Sequence, residues 1–252
     1  MAIDPRSYLA FALDLPSVED TLSYVERLGS RVGVFKIGLE LFIQAGPDII
    51  RTIQKRSDTE IFLDLKLHDI PATVGRAVER AADLGVTYLT VHCGENRSML
   101  EAAVENGGNQ LKILGVTVLT SVGGEDLRQA GFQNRFADHP ADLVNLRAQK
   151  AYETDCAGIV CSALEAKGVK ERFNPPFMAV TPGIRLEKTS DDQKRVMTPS
   201  QAILNGSDLL VVGRPIRDAK DPIATVDTIV SDIDRALKEI PEQIPVERQS
   251  DN

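Results

Sequence analysis

Short apolar runs rich in Val, Ile and Leu alternate along the chain with longer stretches of helical period. Eight runs have the length of buried strands: 8–14, 32–38, 60–64, 88–93, 112–120, 158–163, 177–181 and 209–213. Between them, apolar residues recur at helical spacing, as at Val74, Ala77, Val78, Ala81 and Ala82. Strands that alternate with helices indicate a parallel sheet. Eight repeats predict an α/β fold, a closed (β/α)8 TIM barrel, with a doubly wound open sheet as the alternative.

No Gly/Ser linker, charge block or shift in composition divides the chain, which favours one domain over two. We predict a barrel domain over residues 1–240 and a polar, proline-containing tail over 241–252. The polar stretch 185–198 lacks strand and helix period and follows the seventh run. This stretch predicts a loop that is either a lid or a disordered excursion.

Composition and charge narrow the function further. The chain has 252 residues, of which 42% are hydrophobic and 26% charged, as in a globular protein with one large core. A formal net charge of −8 argues against nucleic acid as a partner, because phosphate-tracking proteins concentrate Lys and Arg on one face. Three cysteines without a CxxC pair indicate reduced, buried residues of a cytoplasmic protein. The N-terminal apolar run, about seven residues, is too short for a signal peptide or a membrane span.

Charged residues stand where several predicted strands end. In a barrel of parallel strands those ends share one rim, where active sites are built. Asp14 ends the first run, Lys36 lies in the second, and Asp64 ends the third, with Lys66 and Asp69 beyond it. Because side chains alternate along a strand, Asp64 and Lys66 are expected on one face, toward the barrel mouth. The group is either a structural salt-bridge network or a ligand site, since charges inside strands cost desolvation energy.

The last two strands predict a phosphate site. The seventh run ends in TPGIR, residues 181–185, and the eighth ends in Gly213 and Arg214. Barrels build phosphate sites from the loops after these two strands. Glycine lets backbone N–H groups approach an anion, and arginine adds a planar fork of donors. The alternative is that Arg214 is a surface residue at the start of a helix.

These motifs occur together, in order and at strand ends, in a known family. They are FALD at 11–14, FKIG at 35–38, FLDLKLHDIPATV at 62–74, VTVLTS at 116–121, VTPGIR at 180–185, DDQKRVMTP at 191–199 and VVGRP at 211–215. From Tyr8 to about Ile240 the chain resembles the orotidine 5'-monophosphate decarboxylases of the bacterial short-barrel type. The whole set is highly specific. The DxKxxxxD arrangement alone is less so, because a related sugar-acid phosphate decarboxylase carries a similar one.

The resemblance implies a cofactor-free lyase that converts orotidine 5'-monophosphate to UMP and CO2, the last step of de novo pyrimidine nucleotide synthesis. Lys66 resembles the proton donor to C6 of the pyrimidine, and Asp64 resembles the carboxylate beside the departing CO2. Lys36 and Asp69 complete a charged tetrad. Asp69 would come from the second subunit of a homodimer with shared active sites, and Thr73 resembles a residue that reaches the partner's ligand alongside it.

The resemblance also implies the substrate contacts. Asp14 and Lys36 resemble residues that bind the ribose, and Thr120, with Ser121 as a further candidate, resembles one that reads the pyrimidine edge. The phosphate-binding residues implied are Arg185, Gln193, Gly213 and Arg214, with Gln193 on the lid loop. At none of these positions does the chain depart from the family's motifs.

Three other functions stay open on the sequence. A magnesium-dependent decarboxylase of a keto-sugar-acid phosphate would want a Glu on the second strand, for which Glu40 is the candidate. A lysine Schiff-base aldolase would want Lys66 desolvated rather than flanked by Asp64 and Asp69. A non-catalytic phosphate-ligand sensor could dispense with the lysine. No cluster of His, Asp and Glu has convincing metal-ligand spacing, so no metal is expected.

The remaining polar and thiol residues receive structural interpretations. His68 is expected to orient the neighbouring backbone, and His92 to hydrogen-bond behind the residues that touch ligand. His139 lies in a polar segment and is expected in solvent. Cys93 and Cys161 are interpreted as small core residues rather than nucleophiles.

Overall fold

The computed structural model describes residues 3–186 and 197–240. Eight strands in these residues pair in parallel, each with the next in sequence and the last with the first. They are β1 Leu9–Ala12, β2 Val34–Gly38, β3 Glu60–Leu67, β4 Tyr88–His92, β5 Lys112–Val116, β6 Gly158–Val160, β7 Met178–Thr181 and β8 Leu209–Val212. The predicted TIM barrel is confirmed. The doubly wound alternative is wrong, because an open sheet would not pair β1 with β8.

Most strands end before the apolar run that predicted them. The run at 112–120 is a strand only to Val116, so Thr120 lies in the loop that follows. The apolar pattern continues past the strand because Val118 in that loop is still buried. β3 differs in the other direction, since it continues to Leu67, three residues beyond the predicted end.

Helices follow the strands and cover the barrel. Their bounds are α1 Val18–Leu28, α2 Leu39–Ala45, α3 Asp48–Gln54, α4 Pro71–Asp83, α5 Arg97–Gly107, α6 Gly124–Gln129, α7 Asn134–Asp138, α8 Pro140–Glu153, α9 Ala163–Arg172, α10 Pro199–Leu204, α11 Arg214–Arg217 and α12 Pro222–Glu239. A short 3-10 helix, Pro5–Tyr8, precedes β1. The helical period predicted from Val74 onward lies within α4, where Val74, Val78 and Ala81 are buried.

Local chemistry fixes where several helices begin. The Ser17 side chain accepts a hydrogen bond from the N–H of Asp20 at the start of α1, and Asp221 caps α12 in the same manner. Such caps satisfy N–H groups that have no partner within the helix. Proline occupies the first turn of α4, α8, α10 and α12, where a missing N–H costs nothing. These boundaries place each strand-to-helix loop at one end of the barrel.

Apolar side chains form two compartments. The larger lies between the strands and the surrounding helices and includes Phe11, Phe35 and Leu63. The smaller lies inside the barrel and consists of Ala10, Ala12, Val34, Phe62, Tyr88, Leu114, Val180, Leu209 and Val211. Residues that alternate along a strand therefore alternate between compartments, as in other barrels. The upper members of the inner compartment form the floor of the site described below.

Two predicted segments fall largely outside the described residues. The tail at 241–252 is one, and residues 187–196 of the polar loop, with Gln193, are the other. The described ends of that loop meet, because Ile184 and Met197 form a β-bridge and the N–H of Arg185 donates to the carbonyl of Met197 at 3.0 Å. Within 3–186 and 197–240, the helices lack the combined length and apolar character that crossing a bilayer requires.

Candidate active site

A cavity of about 450 Å³ opens at the carboxyl ends of the strands. Its floor is apolar and is formed by Ala12, Phe62, Val116, Val160 and Val211. Polar side chains surround the floor: Asp14, Lys36, Asp64, Lys66, Thr120, Ser121, Arg185, Arg214 and Arg217. An apolar base with a few converging polar groups is typical of a small-molecule site. The end of the barrel that holds it is the end where barrel enzymes place their chemistry.

Four charged residues from three neighbouring strands form a row along one wall. Lys66 Nζ lies 2.8 Å from Asp64 Oδ1 and 2.9 Å from Asp64 Oδ2. Lys36 Nζ lies 3.7 Å from the other side of the same carboxylate and 3.2 Å from Asp14 Oδ1. The signs therefore alternate, and each ammonium contacts at least one carboxylate. The predicted grouping of Asp14, Lys36, Asp64 and Lys66 is present.

Asp64 is the centre of this row. Its side chain is only 14% exposed, and Oδ1 also accepts a hydrogen bond from the Thr90 hydroxyl at 3.0 Å. Burial by itself raises the pKa of a carboxyl, but Lys36 and Lys66 outweigh burial and hold the pKa of Asp64 below its ordinary value. Asp64 is therefore an anion at neutral pH, and its two lysine partners are held by charge as well as by hydrogen bonds.

The Lys66 backbone departs from regular strand geometry. Its φ is +51°, the left-handed region that residues other than Gly rarely adopt, at a cost of about 1–3 kcal/mol. β3 pairs with β4 at Leu63 and again at Leu67, but the register shifts between those residues. The expectation that Asp64 and Lys66 meet by simple alternation is corrected here, because an irregular step in the strand brings the two side chains together.

Gly38, at the end of β2, leaves space for the row. A Cβ at this position would lie 3.0 Å from Lys36 Nζ and 3.1 Å from Asp14 Oδ1, closer than side chains normally pack. Any larger residue would push the ammonium and carboxylate away from their present positions. The crowding around Gly38 therefore explains why the FKIG motif ends in glycine.

The loops after β7 and β8 carry the predicted anion-binding residues. Arg185, directly after β7, is buried, and its Nη1 donates to the carbonyl of Ile184 at 2.9 Å. Gly213 ends β8 and starts α11, with Arg214 as the first helical residue. Arg185, Gly213 and Arg214 all line the cavity, as does Thr120. The interpretation of Arg214 as a mere surface residue is therefore not supported.

Two predicted site residues do not line this cavity, and a third lies outside the described residues. Asp69 is exposed after β3 and its Oδ1 accepts a hydrogen bond from the N–H of Ile70 at 2.7 Å. Thr73 lies in the first turn of α4. Neither residue lines the cavity of its own chain. Gln193 lies outside the described residues, so its predicted role in phosphate binding stays a prediction.

Comparison with known proteins places the chain among relatives. Residues 7–229 match the model of a family described as "Orotidine 5'-phosphate decarboxylase / HUMPS family". The chain belongs to this family. The match covers most of the barrel, from the 3-10 helix before β1 into α12. The resemblance inferred from the motifs is confirmed.

Curated members of the family are similar over nearly their whole length. An orotidine 5'-phosphate decarboxylase of Desulfosudis oleivorans is 50% identical over 238 residues, which is 93% of this chain and 96% of the relative. One from Methylorubrum extorquens is 47% identical over 234 residues, with 92% and 98% covered. A crystal structure of orotidine 5'-phosphate decarboxylase from Lactobacillus acidophilus superposes with a TM-score of 0.78 at 34% identity, covering 89% of this chain and 98% of that one.

Two residues of the site in this family member were not found by sequence reasoning. Thr90, inside β4, hydrogen-bonds both Asp64 and the backbone of Lys66. Arg217 lines the cavity, and its Nη1 donates to the carbonyl of Asp14 at 3.1 Å. Arg217 follows Arg214 by three residues, so helical spacing in α11 was the pattern that could have revealed it. Thr90 had no such pattern, because threonine is common in strands.

The histidines lie behind the charged row of the family site. His68 contacts the Glu95 carboxylate, which ties the end of β3 to the loop after β4. His92 lies beside it, with ring centroids 5.3 Å apart. Burial, with the nearby His68 and Arg147, lowers the pKa of His92. Neither histidine lines the cavity, and His139 is exposed as expected.

Cys161 lines the cavity of the family site, whereas Cys93 and Cys156 do not. All three cysteines are buried, and burial raises the pKa of Cys93 and raises that of Cys156 to about 11. In 3–186 and 197–240 no group of three or more His, Cys, Asp or Glu side chains is arranged to hold a metal ion. Glu40, the candidate metal ligand of the sugar-acid rival, is exposed in α2 and does not line the cavity.

Proposed function

We propose that this chain decarboxylates orotidine 5'-monophosphate to UMP and CO2, in the synthesis of pyrimidine nucleotides. The observation that carries the proposal is the Lys66 ammonium, held 2.8 Å from Asp64 in a cavity that Arg185 and Arg214 also line. A fixed cation and an arginine-lined anion site suit a phosphorylated substrate that develops negative charge as it reacts. Relatives that are 50% and 47% identical carry the name of this activity.

Lys66 supplies the central chemistry. When the C6–CO2 bond breaks, its electron pair stays on C6 of the pyrimidine as a carbanion in the ring plane. An ammonium next to C6 stabilises this charge, which is absent from the bound substrate, and then delivers a proton to the same carbon. One side chain thus provides electrostatic stabilisation and general acid catalysis. The contact with Asp64 orients the ammonium before the substrate arrives.

Asp64 and Lys36 shape the field around the reacting carbon. Asp64 is an anion at neutral pH and lies where the substrate carboxylate would be placed, so departure of CO2 relieves repulsion between the two. Lys36 balances Asp64 from the other side and, with Asp14, is positioned to contact the ribose hydroxyls. Asp69 would complete the charged tetrad only if it comes from elsewhere, since it does not line its own cavity.

The phosphate group would bind far from the reacting carbon. Arg185, Gly213 and Arg214 would provide guanidinium and backbone N–H donors from the loops after β7 and β8. Thr120, which lines the cavity, would read the edge of the pyrimidine. Binding energy from the remote phosphate can be used to position the ring against Lys66, which raises kcat as well as affinity. A chain with a net charge of −8 can therefore bind an anionic substrate, because cationic side chains and N–H donors are concentrated within the cavity.

A homodimer with shared sites is part of the proposal. Asp69 and Thr73 are close in sequence to Ile70, whose apolar side chain is 65% exposed, and Ile43 in α2 is 79% exposed. Exposed apolar side chains that form a contiguous patch commonly mark a protein interface. A two-fold axis beside this region would carry Asp69 and Thr73 of each chain into the cavity of the other.

The proposed reaction needs no cofactor or metal, because the ring and the ammonium provide the stabilisation. A cytoplasmic location is proposed as well, since the three cysteines are buried thiols rather than disulfides, as in proteins of reducing compartments. The two rival enzymes with the same barrel fold use different chemistry. One needs magnesium and a sugar-acid phosphate, and the other forms a lysine Schiff base.

The test is a spectrophotometric assay of orotidine 5'-monophosphate consumption in excess EDTA, with the Lys66→Ala protein as control. We expect turnover by the native protein, unaffected by chelator and nearly absent in the variant. Activity abolished by EDTA and restored by Mg²⁺ would favour the sugar-acid rival. Tight nucleotide binding without turnover would favour a sensor. Borohydride trapping of a substrate on Lys66 would favour the aldolase.

A further inference from the structure

Thr90 is a fully buried residue of β4 that touches two members of the charged row. Its hydroxyl oxygen accepts a hydrogen bond from the backbone N–H of Lys66 at 2.9 Å. The same hydroxyl donates to Asp64 Oδ1 at 3.0 Å. The side chain is 0% exposed, and it does not line the cavity. Thr90 therefore contacts the residues assigned to the chemistry without reaching the space assigned to the substrate.

The register of the two strands explains why a hydroxyl is needed here. Leu63 of β3 stands opposite Leu89 of β4, and Leu67 stands opposite Val91. Three residues of β3, Asp64 to Lys66, therefore face Thr90 alone. In a regular ladder of backbone hydrogen bonds, one residue cannot pair with three. Lys66 adopts its left-handed backbone conformation within this irregular step. A buried N–H without a partner is costly, and the Thr90 side chain provides an acceptor for it.

The direction of both hydrogen bonds is fixed by chemistry. A backbone N–H can only donate, so the hydroxyl accepts from Lys66, and its own hydrogen is free for Asp64. The Asp64 carboxylate is ionised and can only accept. The Lys66 ammonium then closes the circuit by donating to Asp64. The Thr90 network, formed by Thr90, Asp64 and Lys66, thus fixes the lysine at its backbone and at its charged end together.

We propose that Thr90 is a positioning residue of the decarboxylation site, whose hydroxyl holds Lys66 and Asp64 in the reacting geometry. This inference rests on the proposed function. Serine at this position can accept and donate as threonine does. Valine has nearly the same shape as threonine but can do neither, so it leaves the Lys66 N–H buried without its acceptor and Asp64 without one donor.

The kinetic expectation is a separation of kcat from binding. Thr90→Val should lower kcat by about 10- to 100-fold, the range expected when a hydrogen bond to a charged group is lost and the general acid is misplaced. The KM for orotidine 5'-monophosphate and the affinity for UMP should change by less than about threefold, because the phosphate and ribose contacts remain. Thr90→Ser should restore kcat to within about threefold of the native value.

The experiment measures kcat, KM, UMP affinity and thermal midpoint for the native protein, Thr90→Val, Thr90→Ser and a matched control, Thr21→Val. Thr21 is also 0% exposed, and its hydroxyl donates to the carbonyl of Ser17 at 2.9 Å in α1, away from the cavity. The control loses a buried hydroxyl and some stability but should keep native kcat. Thr90→Val with native kcat, or with KM and kcat changed in proportion to lost stability, would overturn the role of Thr90.

Two further arms keep the outcome decisive. If Thr90→Val does not fold, Thr90→Ser and Thr90→Cys replace it, because they share a shape and differ by one atom, and a thiol is a poor donor and acceptor. Equal kcat for this pair would overturn the inference, and a deficit confined to cysteine would support it. A native protein that does not consume orotidine 5'-monophosphate would overturn the proposed function and the role of Thr90 with it. Native turnover with a fully active Thr90→Val protein would overturn the role of Thr90 alone.

Discussion

Replacing Asp64 by Asn removes the negative charge between two lysines while nearly preserving side-chain shape. The carboxylate lies 2.8 Å from Lys66 Nζ and 3.7 Å from Lys36 Nζ. At an effective dielectric constant of about 20, these distances correspond to gross attractions of about 6 and about 4 kcal/mol, most of which is offset by desolvation. Breaking a buried pair by removing one partner typically costs about 3–5 kcal/mol.

The lower end of that range applies, because the Lys66 side chain is 29% exposed and can turn its ammonium toward solvent. We expect Asp64→Asn to lower the free energy of unfolding by about 3 kcal/mol, or the thermal midpoint by about 6–12 °C in a protein of this size. The same reorientation displaces the general acid. A loss of about 3 kcal/mol in transition-state stabilisation corresponds to a kcat lower by about 10²-fold.

The pH dependence has a definite sign. The pKa of Asp64 is lower in the folded protein than in the unfolded chain, because Lys36 and Lys66 outweigh the effect of burial. The ion pairs therefore contribute fully above the unfolded-state pKa of about 4 and lose their contribution as the pH falls through the lower folded-state value. The stability difference between native and variant should be constant near neutral pH and should shrink below about pH 4.

Urea unfolding followed by far-ultraviolet circular dichroism measures the free energy of unfolding. Tryptophan fluorescence is not an option, because the chain has no tryptophan. Asp208→Asn is a matched control: Asp208 lies just before β8, at the other end of the barrel, and pairs with Lys170 Nζ at 2.9 Å. The control should lose stability and keep kcat. An Asp64→Asn protein with native kcat and a midpoint within about 2 °C of native would refute the reasoning.

Three further predictions concern Lys66 as the general acid, Arg214 as a phosphate-binding residue, and the dimer with shared sites. Lys66→Ala should reduce kcat by more than the roughly 10²- to 10⁴-fold usual for general acid catalysis, because charge stabilisation disappears with the proton donor; near-native single-turnover rates would contradict this role. Arg214→Ala should weaken UMP binding and lower kcat/KM, measured by calorimetry and steady-state kinetics, and unchanged UMP affinity would mean that the phosphate binds elsewhere. Mixing inactive Lys66→Ala and Asp69→Ala homodimers should restore up to about a quarter of native activity, since half the dimers are mixed and half of their sites intact. Mass spectrometry would verify subunit exchange, and exchange without recovery would place Asp69 in its own chain's site.

The barrel and much of the charged row could be predicted from the sequence because both depend on local sequence patterns. Apolar runs of strand length, separated by helical period, recur eight times, and parallel strands must end at a common rim. Asp14, Lys36 and Asp64 stand at or near those ends. Their proximity therefore followed from topology and needed no knowledge of side-chain packing. The same reasoning placed Arg185 and Arg214 at that rim, after the last two strands.

The geometry of Lys66 could not be predicted in this way. Asp-Leu-Lys reads as regular alternation, and a positive φ is normally expected at Gly or Asn rather than Lys. The step in β3 arises from pairing with β4, a contact between residues distant in sequence. Thr90 was missed for the same reason, since its hydroxyl acquires partners only when the strands come together. The polar residues at the strand ends could be identified from local sequence. The contacts that position them could not, because they form between strands.

The irregular pairing of β3 with β4 also bears on protein design. Because three residues of one strand stand opposite a single residue of the next, the segment DLKLHD does not define its own shape. Grafting it onto an idealised barrel would supply the side chains on an evenly pleated strand, where Asp64 and Lys66 would point differently from the native pair. A designer who wishes to reuse this lysine must therefore transfer two adjacent strands as one unit, with their mismatch in length preserved.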